Sequence, residues 1–178
     1  MKSMLSKEKK VVTADDEVVQ FVTFQVGDEE CGMDIRYITE VIRPLKITPL
    51  PRMPEFIEGV VNLRGMIIPI VDLRKRFALS GIVDNQRKMR MLITRGAISK
   101  TAGVGKGLLG LVVDSVQEVL HIPRKEIAPA PEAARGQHAG FIVGMGKVAD
   151  RLIILIDSSM ILSQQERSAL AEASHDGY

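Results

Sequence analysis

Apolar and polar residues alternate along much of this chain with the two-residue period of a half-buried β-strand, and few stretches carry a long helical period. Val18 to Val26 shows the alternation best, with Val22, Phe24 and Val26 on one side and Phe21, Thr23 and Gln25 on the other. Gly27 and Asp28 then supply turn chemistry. From Asp34 to Val41 the period changes. Ile35, Ile38 and Val41 recur at every third position, which suits a short helix or an irregular crossover, and Pro44 stops it. Pro49, Pro51 and Pro54 lack backbone donors, so residues 45–54 are predicted to form an ordered, extended loop, with one turn at Glu55 to Glu58.

Val60 and Val61, then Met66 to Asp72, read as two strands joined through Asn62, Leu63, Arg64 and Gly65, because Asn tolerates left-handed backbone and Gly adopts it freely. Asp72 is placed to cap a short helix through Arg74 and Phe77. Met89 to Thr94, Leu108 to Val113, Val116 to Ile122, Phe141 to Met145 and Leu152 to Ile156 are further strands. The pattern predicts a flexible hairpin loop at 95–107 and a helix from Asp157 to Leu170, whose partial apolar face holds Ile161, Leu162 and Leu170. Residues 1–17 read as a mobile tail, and 168–178 as a helix end and a fraying C-terminal tail.

A faint repeat runs through this series. Glu40, Val41 and Ile42 precede Pro49 and Pro51, then Gly59 and Asp72, as Glu118, Val119 and Leu120 precede Pro129 and Pro131, then Gly140 and Asp157. The offset is 78 residues for the glutamates, 81 for these glycines and 85 for the aspartates, a drift that small insertions explain. Coincidence among common residues is the competing explanation. Two small units on one plan would have underfilled cores alone and better ones together, so the pattern predicts a mainly β chain of two packed barrel-like subdomains.

Composition narrows the function. The 178 residues are 46% apolar and 26% charged, enough to fold without disulfides or metal. Cys31, the sole cysteine, can form no intrachain bridge, and a reducing, cytoplasmic location is expected. No apolar run reaches the length of a membrane helix or an export signal. Asp34 to Arg95 holds 12 basic and 6 acidic residues although the formal net charge of the whole is only +2. Nucleic-acid binding would need that excess interleaved with stacking aromatics, and the five Phe residues fall mostly within apolar patterns.

Catalytic chemistry is hard to assemble. His121, His138 and His175 have no metal-ligand spacing, and no serine sits in a strand-to-helix elbow. Gly105 to Gly110 matches a dinucleotide fingerprint as a string, but it opens a strand instead of a helix. Cys31 lies among Glu29, Glu30 and Asp34, without a basic neighbour to favour thiolate. A small enzyme or ligand-binding β protein would have to rest on that thiol and on the glycine-rich segment. The unusual feature is a long cation at a turn: Arg64 can pair with Glu40 and prepare an interface, or be a plain turn arginine.

Read together, Phe21 to Phe24, Gly32 to Ile35, Ile38 to Val41, Pro54 to Phe56, Gly59 to Gly65, Ile67 to Arg74, Gly110 to Val119, Ile127 to Glu132 and Leu152 to Ile156 resemble the CheW family of bacterial chemotaxis adaptors. The run from Asn62 to Arg74 is the most specific part, and the likeness covers Val18 to Arg167. It implies two interleaved, five-stranded SH3-like β-barrel subdomains within residues 18–167, no catalysis, no cofactor and no metal. The implied partners are the cytoplasmic signalling tip of a chemoreceptor, the regulatory domain of the histidine kinase CheA, and CheW-like neighbours in rings, with recruitment to membrane-associated receptor arrays but no insertion into the membrane. Related modules occur within CheA and CheV, but this chain has no room for a kinase core or a complete receiver, so a standalone adaptor is expected. By the same resemblance Ile38, Glu40 and Arg64 fall in the receptor-binding region, Val61, Asn62, Leu63 and Gly65 shape it, and the kinase-binding residues stay unassigned. A related adaptor for a different chemosensory kinase is the alternative. The 95–107 segment is longer than the family's usual connection.

Overall fold

A computed structural model of the chain describes residues 16–79, 81, 83, 85–95, 107–132 and 139–176. Eleven strands among them form two sheets: β1 (Val18–Val26), β2 (Glu29–Asp34), β3 (Ile38–Ile42), β4 (Ile57–Leu63), β5 (Met66–Asp72), β6 (Arg90–Arg95), β7 (Leu108–Val113), β8 (Ser115–Pro123), β9 (Ile127–Ala128), β10 (Ile142–Val148) and β11 (Arg151–Ile156). One sheet has the order β3-β6-β7-β5-β4, the other β8-β1-β2-β11-β10-β9. The expected mainly β architecture is therefore present. Its second sheet has six strands instead of five, and both ladders are open among the described residues. Prolines explain the opening on the five-stranded side: Pro44, Pro49, Pro51 and Pro54 cannot donate to a ladder, so only an isolated Thr48–Val60 bridge forms between β3 and β4. In the second sheet the corresponding place is taken by the two-residue β9, which pairs with β10.

The repeat is real and reaches further than its residue identities. In strand order, β3, β6, β7, β5 and β4 match β8, β1, β2, β11 and β10 one for one. Each set contains a single parallel pair, β5 with β7 and β11 with β2, flanked by antiparallel ones. The bulge between Ile57 and Gly59 recurs between Ile142 and Gly144. Asp72 N–H donates to Phe56 O at 2.8 Å, and Asp157 N–H to Phe141 O at 2.9 Å. The structural counterpart of Gly59 is thus Gly144 and not Gly140, because the bulge, not the nearest glycine in sequence, sets the register. One copy is continuous from β3 to β7. The other is assembled from β1 and β2 plus β8 to β11, and Asp114 alone separates β7 from β8.

Three apolar clusters follow from this doubling. Val61, Leu63, Ile68, Ile70, Met91, Ile93 and Val112 fill the five-stranded side. Val19, Phe21, Ile122, Ile153 and Leu155 fill the six-stranded side. The third, including Phe24, Val26, Met33, Leu92, Leu111, Phe141 and Ile156, joins the two sheets. Strands such as β6 and β7 are buried on both faces, which is why they read as near-continuous apolar runs.

Local sequence accounts for the short helices, with corrections. Asp72 accepts from Arg74 N–H and Lys75 N–H and opens α1 (Leu73–Arg76) as expected. Asp34 to Val41 is not one helix: Asp34 caps a single 3₁₀ turn at Ile35–Tyr37, and β-branched Ile38, Thr39, Val41 and Ile42 then continue as β3. Glu29–Asp34, which showed no clear alternation, is a strand because β1 and β11 flank it. The final helix does not begin at Asp157, which caps only a 3₁₀ turn. Instead α2 (Gln164–Asp176) starts after Ser163, whose Oγ accepts from Glu166 N–H while the Glu166 carboxylate accepts from Ser163 N–H. The helix therefore extends beyond Leu170 through residues expected to fray. The tail at 1–15 and the segment 96–106 lie outside the described residues. No helix among the described residues is long and apolar enough to cross a membrane.

The two copies meet at Arg76. Its guanidinium lies 4.7 Å from the Phe56 ring centroid and 5.1 Å from that of Phe141, and its Nε–H donates to Ile161 O at 3.0 Å. Phe56 and Phe141 are counterparts, as are Arg76 and Ile161, each pair 85 residues apart. Arg76→Ala removes two cation–π contacts and one charged hydrogen bond, so it should lower the unfolding free energy by about 2–3 kcal/mol, read by urea denaturation at unchanged m-value.

Candidate interaction site

The site begins with a two-residue turn. Leu63 pairs with Met66, so only Arg64 and Gly65 connect β4 to β5. Their φ values are 50° and 82°, the two positive angles that a right-handed hairpin twist favours in a tight loop. Asn62, on the exposed side of β4, accepts from Gly65 N–H through Oδ1 at 2.9 Å and holds the turn. Val61 and Leu63 point the other way into the core of the five-stranded sheet. Val61, Asn62, Leu63 and Gly65 thus all lie in or beside this turn, and its left-handed positions are Arg64 and Gly65 and not Asn62.

Left-handed backbone costs an L-residue with a Cβ roughly 1–2 kcal/mol, so Arg64 is held there by the hairpin around it. The conformation sends its guanidinium to Glu40 on β3, where the two form an ion pair. β3 and β4 are opposite edges of the sheet. The pair thus draws the first strand toward the last hairpin across the opening left by the prolines. Arg64 is 66% exposed and Glu40 30%, so solvent screens the bridge and its direct contribution to stability is about 1 kcal/mol or less.

Around Gly65 nothing lies within 4 Å of a Cβ built there. Gly65→Ala should consequently cost only the backbone term, about 1 kcal/mol, and a melting temperature lowered by more than about 6 °C would show that the turn carries packing as well.

Ile38 and Glu40 occupy the same strand, and Ile38 is half-buried against the inter-sheet core. Val41, beside Glu40, is the large apolar residue left exposed on β3. The sequence places Val41 in the apolar stripe and in the repeat but does not single it out for the site. The repeat held the missed signal. Val119 is Val41's counterpart at the same offset as Glu118 to Glu40, and the two valines are exposed to nearly the same extent, 42% and 43%. Glu118 also meets an arginine next to a two-residue hairpin: Arg151 Nη1 lies 2.8 Å from its carboxylate, just after Ala149, whose φ is 53°. There, however, Glu30 binds the same guanidinium, with Nε–H donating at 3.1 Å. The first copy differs in leaving its arginine with a single carboxylate partner among the described residues and a mostly exposed side chain.

Cys31 is fully buried in the inter-sheet core, and burial, with Glu29 and Glu30 adding to it, pushes its thiol far above the usual range. It is a packing residue and not an activated nucleophile.

Comparison with known proteins gives the family and agrees with the fold. A family model described as CheW-like domain matches residues 20–166. The chain belongs to the CheW-like family. It is 35% identical over 147 residues to chemotaxis protein CheW of Klebsiella aerogenes, covering 83% of each chain. It is 32% identical over 156 residues to Protein FrzA of Myxococcus xanthus, covering 85% of this chain and 90% of that one. The crystal structure of the scaffolding protein TtCheW from Thermoanaerobacter tengcongensis superposes with a TM-score of 0.73 at 33% identity, over 84% of this chain and 96% of that one. As a CheW-like protein the chain is a chemotaxis adaptor with a scaffolding, non-catalytic role. Its doubled sheet matches that scaffold structure, and Arg64 lies within the Asn62 to Arg74 run.

Proposed function

We propose that this CheW-like chain couples the cytoplasmic tip of a chemoreceptor to the regulatory domain of the histidine kinase CheA, and that Ile38, Glu40 and Arg64 form the receptor side, with Val41 as its exposed apolar contact. The observation that carries the reading is the Glu40–Arg64 pair, on an edge strand that also leaves Val41 exposed and on a turn held by Asn62 and the core. A surface of this kind binds through a small apolar centre and directional charged hydrogen bonds, and ordering it in advance reduces the entropic cost of docking. The turn and β3 belong to one packed unit, so the partner meets a preformed shape.

Kinase contacts are assigned to exposed faces of both sheets without naming residues. CheW-like neighbours in a ring are natural further partners, because two copies of one ladder give a single chain two related surfaces. In the cell the protein would then be held at membrane-associated receptor arrays by its partners. Purified protein should bind a receptor signalling tip and CheA separately and together in a sedimentation or calorimetric assay. Failure to bind either would end the proposal. Identity to Protein FrzA supports a second reading, in which the same adaptor geometry serves a different chemosensory kinase. Binding across the host's set of receptors and kinases separates the two.

A further inference from the structure

A cavity of about 230 Å³ lies where the β1–β2 turn, α1, the segment before β6 and the β7–β8 crossover converge. None of its lining residues belongs to the interaction site. Arg74 enters it from α1, and its Nε and Nη1 are buried with no hydrogen-bond acceptor. The carboxylate that faces it, Asp114, is 3.8 Å from Nη1, beyond hydrogen-bonding reach, and the same oxygen accepts from Gly27 N–H at 2.9 Å. Buried guanidinium donors without an acceptor are exceptional in folded proteins, and an occupying water or ion is a common reason for one. The fold itself does not call for this arginine. Its counterpart in the other sheet is Ser159, whose backbone N–H binds Asp157 just as that of Arg74 binds Asp72.

Further donors face the same space. Lys88 stands exposed at the rim, and Asn85 uses its Oδ1 to accept from Arg87 N–H, which leaves the amide hydrogens for an occupant. Asp28 and Asp114 line the cavity as well, so two carboxylates oppose two cations. We propose that the cavity binds a small protonated oxyanion, with inorganic phosphate as its type. The volume is below the ~300–1,000 Å³ of pockets for drug-sized ligands, and suits an oxyanion accompanied by water. The guanidinium and ammonium meet the anion's oxygens, and the carboxylates choose among anions. A fully ionised oxyanion such as sulfate meets Asp28 and Asp114 only as repulsion. Phosphate keeps a hydroxyl near neutral pH and donates it to one of them.

The test is calorimetric titration of the full chain with sodium phosphate, and separately with sodium sulfate, in chloride buffer at neutral pH and constant ionic strength. Expected are saturable one-site binding of phosphate and at least about tenfold weaker binding of sulfate. Arg74→Gln should weaken phosphate by about tenfold or more, and Lys88→Ala by a few-fold. Asp114→Asn, which keeps an oxygen for Gly27 N–H, should raise sulfate affinity and close the gap between the anions. Absence of phosphate binding, equal affinity for both anions, or an adventitious ion only, shown by a folded Arg74→Gln chain binding phosphate unchanged, would overturn the site. If Arg74→Gln does not fold, unchanged anion preference in Asp114→Asn together with unchanged affinity in Lys88→Ala overturns it equally. Receptor and kinase are absent from this assay, so its outcome is independent of the scaffold reading.

Discussion

Gly59→Ala should cost about 3 kcal/mol or more and lower the melting temperature by roughly 6–12 °C, the largest loss expected from an added methyl group at any of the described glycines. A Cβ at Gly59 would lie 2.1 Å from Thr48 O and 2.7 Å from its carbonyl carbon, and the glycine's φ of +139° is one that L-residues rarely adopt. The obstacle is backbone and cannot rotate away. It is the proline-rich strap, held to β4 by Thr48 N–H to Val60 O at 2.8 Å and Val60 N–H to Thr48 O at 2.9 Å. Gly144, the counterpart, is the internal comparison: its Cβ would sit 3.0 Å from Ala128 O at ordinary φ, so Gly144→Ala should cost about 1 kcal/mol. Thermal melts of both variants decide the matter. A Gly59→Ala protein melting within about 2 °C of the parent would mean that the strap is not clamped where the structure puts it.

The second large effect is on binding. Arg64→Ala should reduce affinity for a receptor signalling tip by about 10- to 100-fold, the range of an interface anchor, while changing the unfolding free energy by about 1 kcal/mol or less. The contrast follows from exposure. A solvent-screened ion pair contributes little to folding, but once a partner covers it the guanidinium becomes a desolvated, directional donor. Arg64 also pays for its left-handed backbone, and alanine at the same φ does not relieve that strain, so the variant isolates the side chain. Glu40→Gln should weaken the tip by a similar factor, because it removes the charge that orients the arginine. Kinase affinity in these variants should stay within about twofold, since the kinase is assigned to other faces. Equal losses toward receptor and kinase, or a loss of folding, would convert Arg64 from an interface residue into a structural one.

How much was legible beforehand differs from place to place. β1, β5 and β7 lie where their apolar patterns put them, because a buried strand imposes its own alternation or run. β2 escaped notice because Glu29, Glu30 and Asp34 break the pattern, and its strand character comes from the neighbours on both sides. The stripe Ile35, Ile38 and Val41 suits a short helix or an irregular crossover, and the structure has the second, with the three side chains in different surroundings. Ile35 is on an exposed turn, Ile38 packs on the inter-sheet core and Val41 faces solvent. A period of three that arises at the junction of a turn and a bulged strand is not amphipathicity. The start of the last helix differs for a similar reason: Asp157 is a good cap, but for a 3₁₀ turn that stands where α1 follows Asp72, and the cap of α2 is Ser163, six residues later.

By itself the amino-acid order determined the class of fold, the existence of a repeat, a turn within Asn62 to Gly65, and membership of the CheW-like family, since these depend on local periodicity, turn chemistry and ordered motifs. Only tertiary structure decided that the second copy is assembled from both ends of the chain, that Gly59 matches Gly144, that Val41 and not Ile38 is left exposed, and that Arg74 enters a cavity without an acceptor. Each of those depends on which distant backbone lies alongside, and hydrogen-bond register between strands far apart in sequence leaves no periodic trace in either one.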